Sequence, residues 1–325
     1  MKKARTTIKD IAKLANVTPQ AVSRALRDAP DISVATKARI LEIATQLNYC
    51  KNTTASALRS GYSHSVAVVY DELKNVYYSI MIDFLQSCLE ARGFSVLTLS
   101  YRYSYLTKET YLNAISHNVD GVISFLDPKE EIEDLINNYH VPVLLFGRYT
   151  DIKNMDCVYM DDKRGGYLAA ERFLQKGCKK PLVVTLPDEL ICVQERIEGF
   201  AELWKENGVT HMQVCRKNER FQKEFLAHFE SAENAPDCIF CFNDMLAFEV
   251  LAMLSANGLP IPPVIGYDDI QEQIPLPHRL TTIGMDKYLM AEKGVQMLLD
   301  RVLGHTAQGF KKEKMPVRLV TGASA

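Results

Sequence analysis

Between residues 65 and 266, short and almost wholly apolar runs alternate with segments of helical periodicity, and few folds accept that pattern. The runs fall at 66–69, 94–99, 121–125, 141–146, 158–160, 182–185, 212–215, 238–242 and 264–266. Helices are expected at 78–92, 107–117, 130–139, 164–176, 196–207, 219–231 and 245–257, three of them closed by Gly93, Gly177 and Gly208. Strands apolar on both faces and separated by helices of about 10–15 residues mean parallel sheets covered on both sides. About two hundred residues of this exceed one small sheet, so the pattern predicts two doubly wound lobes.

In such sheets ligands bind beyond the carboxyl ends of the strands, and two lobes can turn those ends toward one cleft. Tyr77 and Tyr78 come after the first run, Arg148 after 141–146, and Asp161 and Asp162 after 158–160. Arg196 is expected to open the helix that follows 182–185, Asn243 and Asp244 to end the 242 strand, and Asp268 and Asp269 to end the 266 strand. Guanidinium, carboxylate and amide groups bridge neighbouring hydroxyls, and an aromatic ring covers the apolar face of a small polyhydroxylated ligand. Taken singly, each residue has a plainer use, because Asp and Asn also cap helices. Six turns carrying such groups are more than caps require.

A different pattern precedes the lobes. In TIKDIAKLANVTPQAVSRALR (residues 7–27), Ile8, Ile11, Ala12 and Ala15 make one apolar helical stripe, with Thr7 at the N-cap and Asp10 three residues on. Asn16 and Val17 break it. Thr18 then caps a second helix with Pro19 in its first position, where a missing N–H costs nothing. Val22, Ala25 and Leu26 face inward, which turns Gln20, Ser23, Arg24 and Arg27 to solvent. Ser33 caps a third helix with Thr36, Ile40, Ile43, Ala44 and Leu47 inward and Lys37 and Arg39 off that face. Two short helices across a tight turn, the second presenting Gln and Arg, form a helix-turn-helix; the competing reading is an ordinary helical hairpin. Charge favours the former. Through Gly61, Lys and Arg number eleven and Asp and Glu four, so a head of +7 precedes a remainder of −9 in a chain of −2. A basic head on an acidic body is expected where one part meets phosphate and the other does not.

The stretch NTTASALRS (52–60) is small, polar and too short for a helix stable by itself, so it reads as a linker that can become helical when ordered. Leu58 is the residue a plain linker does not need. The eight cysteines are scattered; Cys238 and Cys241 have CxxC spacing but lie in a strand that would point them to opposite faces, so structural thiols are expected and neither metal nor cofactor. Apolar residues at 47% and charged residues at 24% fit an ordinary globular protein, with no run near the ~20 apolar residues of a membrane span. The opening MKKARTTIKD lacks the apolar stretch of a signal peptide, so the cytoplasm is the expected compartment.

Together these segments resemble the LacI–GalR family of bacterial transcriptional regulators across essentially the whole chain. In the head the likeness rests on TIKDIAKLANVTPQAVSRAL, ISVATKARILEIATQLNY and NTTASALRSG. In the body it rests on DGVISF, MDDKRGGYLAAERFLQKG, ERIEGFAELWKENGV, FNDMLAFEVLAML, IGYDDI and LTTIGMD. The resemblance implies an all-α helix-turn-helix head (1–48), a hinge helix or linker (49–61) and an α/β core of periplasmic-binding-protein type (62–325). Within that core it implies an N-lobe of about 62–161 and 287–315 and a C-lobe of about 162–286 and 316–325. It implies a repressor that binds pseudo-palindromic double-stranded operator DNA as a homodimer, away from any membrane and without catalytic residues. A small effector, a sugar or sugar phosphate, would bind between the lobes.

Residue by residue, Pro19, Gln20 and Arg24 match positions that read base edges, and Arg24 suits guanine as Gln20 suits adenine. Thr7, Thr18 and Asn52 match positions on the DNA backbone, and Leu58 matches the hinge leucine that wedges between base steps. Tyr77, Tyr78, Arg148, Asp162, Arg196, Asn243 and Asp268 match positions lining the effector cleft. Several residues depart from the family pattern. Pro19 offers no donor, Arg27 and Asp28 stand where Asn is usual, Cys50-Lys51 and Ser56 alter the hinge, Pro262-Pro263 shortens the approach to Gly266, and no heptads follow VTGASA. The competing class is the solute-binding component of a sugar transporter, which explains the body but not the basic head.

Overall fold

A computed structural model describes residues 6–50, 61–71, 74–102, 105–187, 190–275, 279–305 and 309–325. Residues 1–63 and 64–325 form two compact units. The first is three helices, α1 (Ile8–Ala15), α2 (Pro19–Ala25) and α3 (Val34–Gln46). The Asp10 carboxylate accepts from the Thr7 N–H (2.8 Å) and hydroxyl (2.7 Å), while Asn16 in the left-handed region (φ 52°) ends α1. Thr18 accepts from the Ala21 N–H (3.1 Å) and Ser33 from the Thr36 N–H (3.2 Å), so the expected caps start α2 and α3. Ile11, Ala12, Ala15, Val22, Ala25, Ile40 and Ala44 make the small core. Lys37 is drawn in to bond Asp28 (2.6 Å) rather than standing free on the surface.

The second unit begins with β1 (Ser65–Tyr70), α4 (Val76–Glu90), β2 (Ser95–Ser100), β3 (Tyr105–Leu106), α5 (Lys108–Ser116), β4 (Gly121–Ser124), β5 (Asp127–Pro128), α6 (Glu131–Tyr139), β6 (Val143–Phe146) and β7 (Asp156–Met160). It continues with α7 (Asp162–Gln175), β8 (Pro181–Thr185), α8 (Ile191–Glu206), β9 (Gln213–Arg216), α9 (Phe221–Ala227), β10 (Cys238–Cys241), α10 (Asp244–Ala256) and β11 (Val264–Tyr267). After a 3-10 turn at Ile270–Glu272 come β12 (Thr281–Gly284), α11 (Lys287–Val302), β13 (Lys312–Met315) and β14 (Arg318–Val320). No described helix is long and apolar enough to cross a membrane.

Two six-stranded sheets result, ordered β13-β7-β6-β4-β1-β2 and β14-β12-β11-β10-β8-β9. All pairs in the first are parallel; in the second only β14 runs antiparallel, against β12. Leaving aside the last strand at one edge, both have one winding. The first strand (β1 or β8) lies between the second and third, so the chain reverses direction across the sheet at the same place in each lobe. The chain passes between sheets three times, after β7, after β12 and between β13 and β14. Strand alternation sends Ala67, Val69, Val122 and Leu145 to a core under α5 and α6, and Val66, Val68, Ile123 and Leu144 to the other face. That second face shares one continuous core with Val183, Phe240 and Ile265 of the other sheet, so the lobes meet through apolar packing as well as crossings.

Three local expectations need correction. Helix α8 starts at Ile191, which places Arg196 more than a turn inside it rather than at its opening; its N-cap Leu190 makes no side-chain cap bond, so no sequence signal marks the start. Helix α9 stops at Ala227, four residues short, and α4 stops at Glu90 before Gly93 turns with φ 78°. Asn52 and Leu58 lie outside the described residues, as does the stretch 51–60.

Candidate functional site

On the head, Pro19, Gln20, Arg24 and Arg27 are exposed, and Ser23 is half-buried. Thr7 and Thr18 serve as caps at the two helix starts that frame this face. Arg24 is not free: its guanidinium forms an ion pair with Asp31, a residue the sequence argument did not single out. Both partners remain about half exposed, so water screens the pair and Arg24 can exchange it for another acceptor at small cost.

The second unit holds a cavity of about 880 Å³ at the carboxyl ends of both sheets' strands. Of the seven residues proposed for it, Tyr77, Tyr78, Arg148, Arg196, Asn243 and Asp268 line it. Asp162 does not. It is the first residue of α7, fully buried behind Arg196, and accepts from the Arg196 Nε at 2.7 Å. Sequence reasoning missed Asp71, Lys74, Tyr105, Cys192, Lys217 and Glu249 on the lining. Asp71 directly follows β1 and was findable by the same rule that found Tyr77. Lys217 and Glu249 form an ion pair between the segment after β9 and the middle of α10, a contact no local pattern reveals.

The C-lobe wall is built around Arg196. Besides Asp162, its Nη1 donates to the Phe242 carbonyl (2.5 Å), and its guanidinium lies over the rings of Tyr267 (3.5 Å to the centroid) and Phe242 (4.4 Å). Burial opposes its charge, but Asp162, Tyr267 and Asp268 outweigh burial and hold its pKa above the usual value. Glycines make this meeting possible. A side chain at Gly199 would collide with the Lys163 carbonyl, one at Gly166 with the Arg196 carbonyl, and one at Gly165 with the Tyr267 hydroxyl. Helices α7 and α8 therefore pack backbone to backbone, which brings Asp162 to Arg196.

Asp268 and Asp269 follow β11 with φ of 99° and 50°, a conformation that L-residues adopt only at a cost. Behind them Lys287, buried at the start of α11, donates to the Asp269 carbonyl (2.8 Å) and pairs with Glu272 (3.1 Å). Burial, against the pull of Arg196 and Lys287, pushes the Asp268 carboxyl up to about 7. Burial and the nearby Asp268 push Asp244 up to about 8, although it accepts from the Ile270 N–H (2.9 Å) and the Thr282 hydroxyl (2.5 Å).

The N-lobe wall is simpler. Arg148 pairs with Asp127 at 2.5 Å; burial opposes its charge, and Asp127 with Tyr78 overcomes that to raise its pKa. Asn75 and Asn243 cap α4 and α10 through bonds from the N–H groups of Tyr77 (3.1 Å) and Leu246 (2.8 Å), which leaves the Asn243 amide nitrogen available on the lining. Among the described residues, the Tyr77 hydroxyl and Asp71 Oδ1 here, and the Tyr267 hydroxyl and Asp269 Oδ1 on the opposite wall, are buried with no hydrogen-bond partner.

Cys238 and Cys241 face different cores, as strand alternation requires, so they do not form one chelate. Cys238 instead meets Cys178 and Asp237, their ligand atoms lying within 4.8 Å of one another. Both Asp237 oxygens accept backbone N–H groups, from Lys179 and Lys180, and burial pushes both thiols up, which favours protonated packing thiols over metal ligands.

Two family descriptions match this chain. "Bacterial regulatory proteins, lacI family" covers residues 7–52, and "Periplasmic binding proteins and sugar binding domain of LacI family" covers 63–304. The HTH-type transcriptional repressor PurR of Vibrio vulnificus is 26% identical over 306 residues, spanning 91% of this chain and 92% of that protein. The regulator DegA of Bacillus subtilis is 27% identical over 330 residues, spanning 97% and 95%. Among solved structures, the lac repressor dimer bound to operator and the anti-inducer ONPF shares the fold with a TM-score of 0.81, at 21% identity and 99% coverage of both chains.

Proposed function

The chain belongs to the LacI family of bacterial transcriptional regulators, and on that footing we propose that it is a repressor whose grip on a pseudo-palindromic operator is set by a small carbohydrate bound between its lobes. One observation carries the reading: a single chain matches the family's DNA-binding head at 7–52 and its sugar-binding domain at 63–304. A transporter's solute-binding component would account for the second match and leave the first without a use.

Lysines and arginines of the head in a homodimer neutralise phosphates, which gives an affinity that falls steeply with salt. Gln20 and Arg24 select bases, with Arg24 leaving Asp31 for a guanine edge. Pro19 reads by shape alone, because it has no donor. Asn52 and Leu58 anchor and wedge the duplex centre. In the cleft, Arg148 with Tyr77 and Tyr78 on one side faces Arg196, Asn243 and Asp268 on the other, and a ligand touching both walls favours one lobe arrangement over another. The three crossings between sheets are where such a change would turn. The coupling to DNA is expected to be about 1–3 kcal/mol. Function by binding rather than catalysis is supported by the state of Arg148, Arg196 and Lys217 in the cleft, which are held in ion pairs instead of poised beside a nucleophile.

The test is a gel shift with sheared genomic fragments of the source organism at low ionic strength, followed by sequencing of the retained DNA. Retention of one palindromic motif, with loss as salt rises, is expected. Failure to retain any duplex removes the reading. On the recovered operator, Arg24→Ala should cost roughly 1–3 kcal/mol and relax one base pair.

A further inference from the structure

Resting on the reading of the cleft as an effector site, we propose that its ligand is uncharged and hydroxyl-rich, a sugar without phosphate or carboxylate, and that Asp127, Asp162 and Glu249 set this choice. A bound anion needs cations with spare donors and no nearby carboxylate to satisfy them. Here Arg148 is held by Asp127, Arg196 by Asp162 and Lys217 by Glu249. Arg196 is further engaged by the Phe242 carbonyl and two ring faces. Among the described residues the remaining lining cation, Lys74, shares the wall with Asp71, so each of the four cations has a carboxylate near it or on its wall, and Asp268 adds one more acidic group. A phosphate placed there would lose its water and meet at least as much negative charge as positive.

Of the three helices that start at the cleft, a second route to an anion, two are capped by a side chain. Asn75 takes one N–H group of α4 and Asn243 one of α10, while at the start of α8, which has no side-chain cap, the lining residues Leu190 and Cys192 supply no cation. What the walls lack is a hydrogen-bonding partner of the opposite kind. Among the described residues Asp71 Oδ1 and the Tyr77 hydroxyl are buried with no hydrogen-bond partner, although the Asp71 carboxylate also meets the Tyr78 hydroxyl. Sugar hydroxyls supply both roles, and the rings of Tyr78, Phe125 and Phe242 on the lining cover a pyranose or furanose face.

Inorganic phosphate is the direct probe, titrated into the full chain by calorimetry against chloride at matched ionic strength, with circular dichroism checking each fold. Asp127→Asn and the half-exposed Glu249→Gln each release one cation and should bind phosphate at least tenfold more tightly than the wild type. Glu249→Gln carries the test if Asp127→Asn fails to fold. No gain in either folded variant overturns the proposal, as does wild-type phosphate binding that Arg148→Ala or Lys217→Ala abolishes. Phosphate held by the basic head is common to all variants and drops out of the comparison. In parallel, glucose, galactose and ribose are compared with their terminal phosphate esters; an ester binding more tightly than its parent also overturns it. The gel shift is run on the same preparations without ligand, so a failed regulator and a wrongly assigned ligand charge give different results.

Discussion

The two walls of the cleft each present an arginine, but they hold it differently. On the C-lobe side Arg196 and Asp162 are almost fully buried, 5% and 3% exposed, and five groups surround the guanidinium. On the N-lobe side Arg148 and Asp127 keep 13% and 19% of their surface; buried polar atoms without a partner occur beside both pairs, at Tyr77 and Asp71 here and at Tyr267 and Asp269 opposite. The difference separates an arginine sealed inside the wall from one that keeps part of its surface at the cleft. The first resists change because its guanidinium is over-determined by its neighbours; the second has donors left to offer a ligand.

The largest effect that could break this contrast is loss of the C-lobe pair. Arg196→Ala strands Asp162 in a site closed by helix–helix contact and should cost the core about 3–5 kcal/mol by denaturant titration. A loss below 1 kcal/mol would mean the arginine is not sealed inside the wall. Next is the acidic cluster behind it. Asp244 and Asp268 keep their protons to about 8 and 7 in the folded core, but release them near 4 once unfolded. The folded state therefore binds more protons in between, and stability falls as pH rises from about 4 to 8, by up to ~1.4 kcal/mol per pH unit for each group. Asp244→Asn should flatten that slope between pH 5 and 8; an unchanged slope would show that Asp244 titrates like an ordinary carboxylate.

This asymmetry was only half visible in the sequence. Buried parallel strands declare themselves through unbroken apolar runs, and the rule that ligands meet strand ends brought Tyr77, Tyr78, Arg148, Arg196, Asn243 and Asp268 to one cavity. Asp162 obeyed the same rule and still turned away, because its direction depends on the phase of α7 against α8. That phase is set by Gly166 and Gly199, which only the packed structure explains. The partners Asp127, Lys287 and Asp31 were out of reach for a similar reason, since each reaches the group it holds across a turn or between elements. The caps of the head, by contrast, lie within four residues of what they hold, and Thr7, Thr18 and Ser33 could all be placed in advance.

The N-lobe wall should yield smaller numbers. Arg148→Ala leaves Asp127 partly hydrated, so a cost of about 1–2 kcal/mol is expected, well under that of Arg196→Ala. Equal losses at the two arginines would erase the distinction between the walls.

The finest discrimination comes from Tyr77→Phe. The hydroxyl removed is buried and bonds nothing, so the free protein loses no hydrogen bond and sheds a desolvated polar group. Its stability should stay within about 0.5 kcal/mol of the wild type or rise slightly. Affinity for the cognate sugar should fall instead, by about 0.5–1.5 kcal/mol, because the bond the ligand would have completed is no longer available. A variant that loses stability but keeps its affinity would reverse the assignment: the hydroxyl would then belong to the fold.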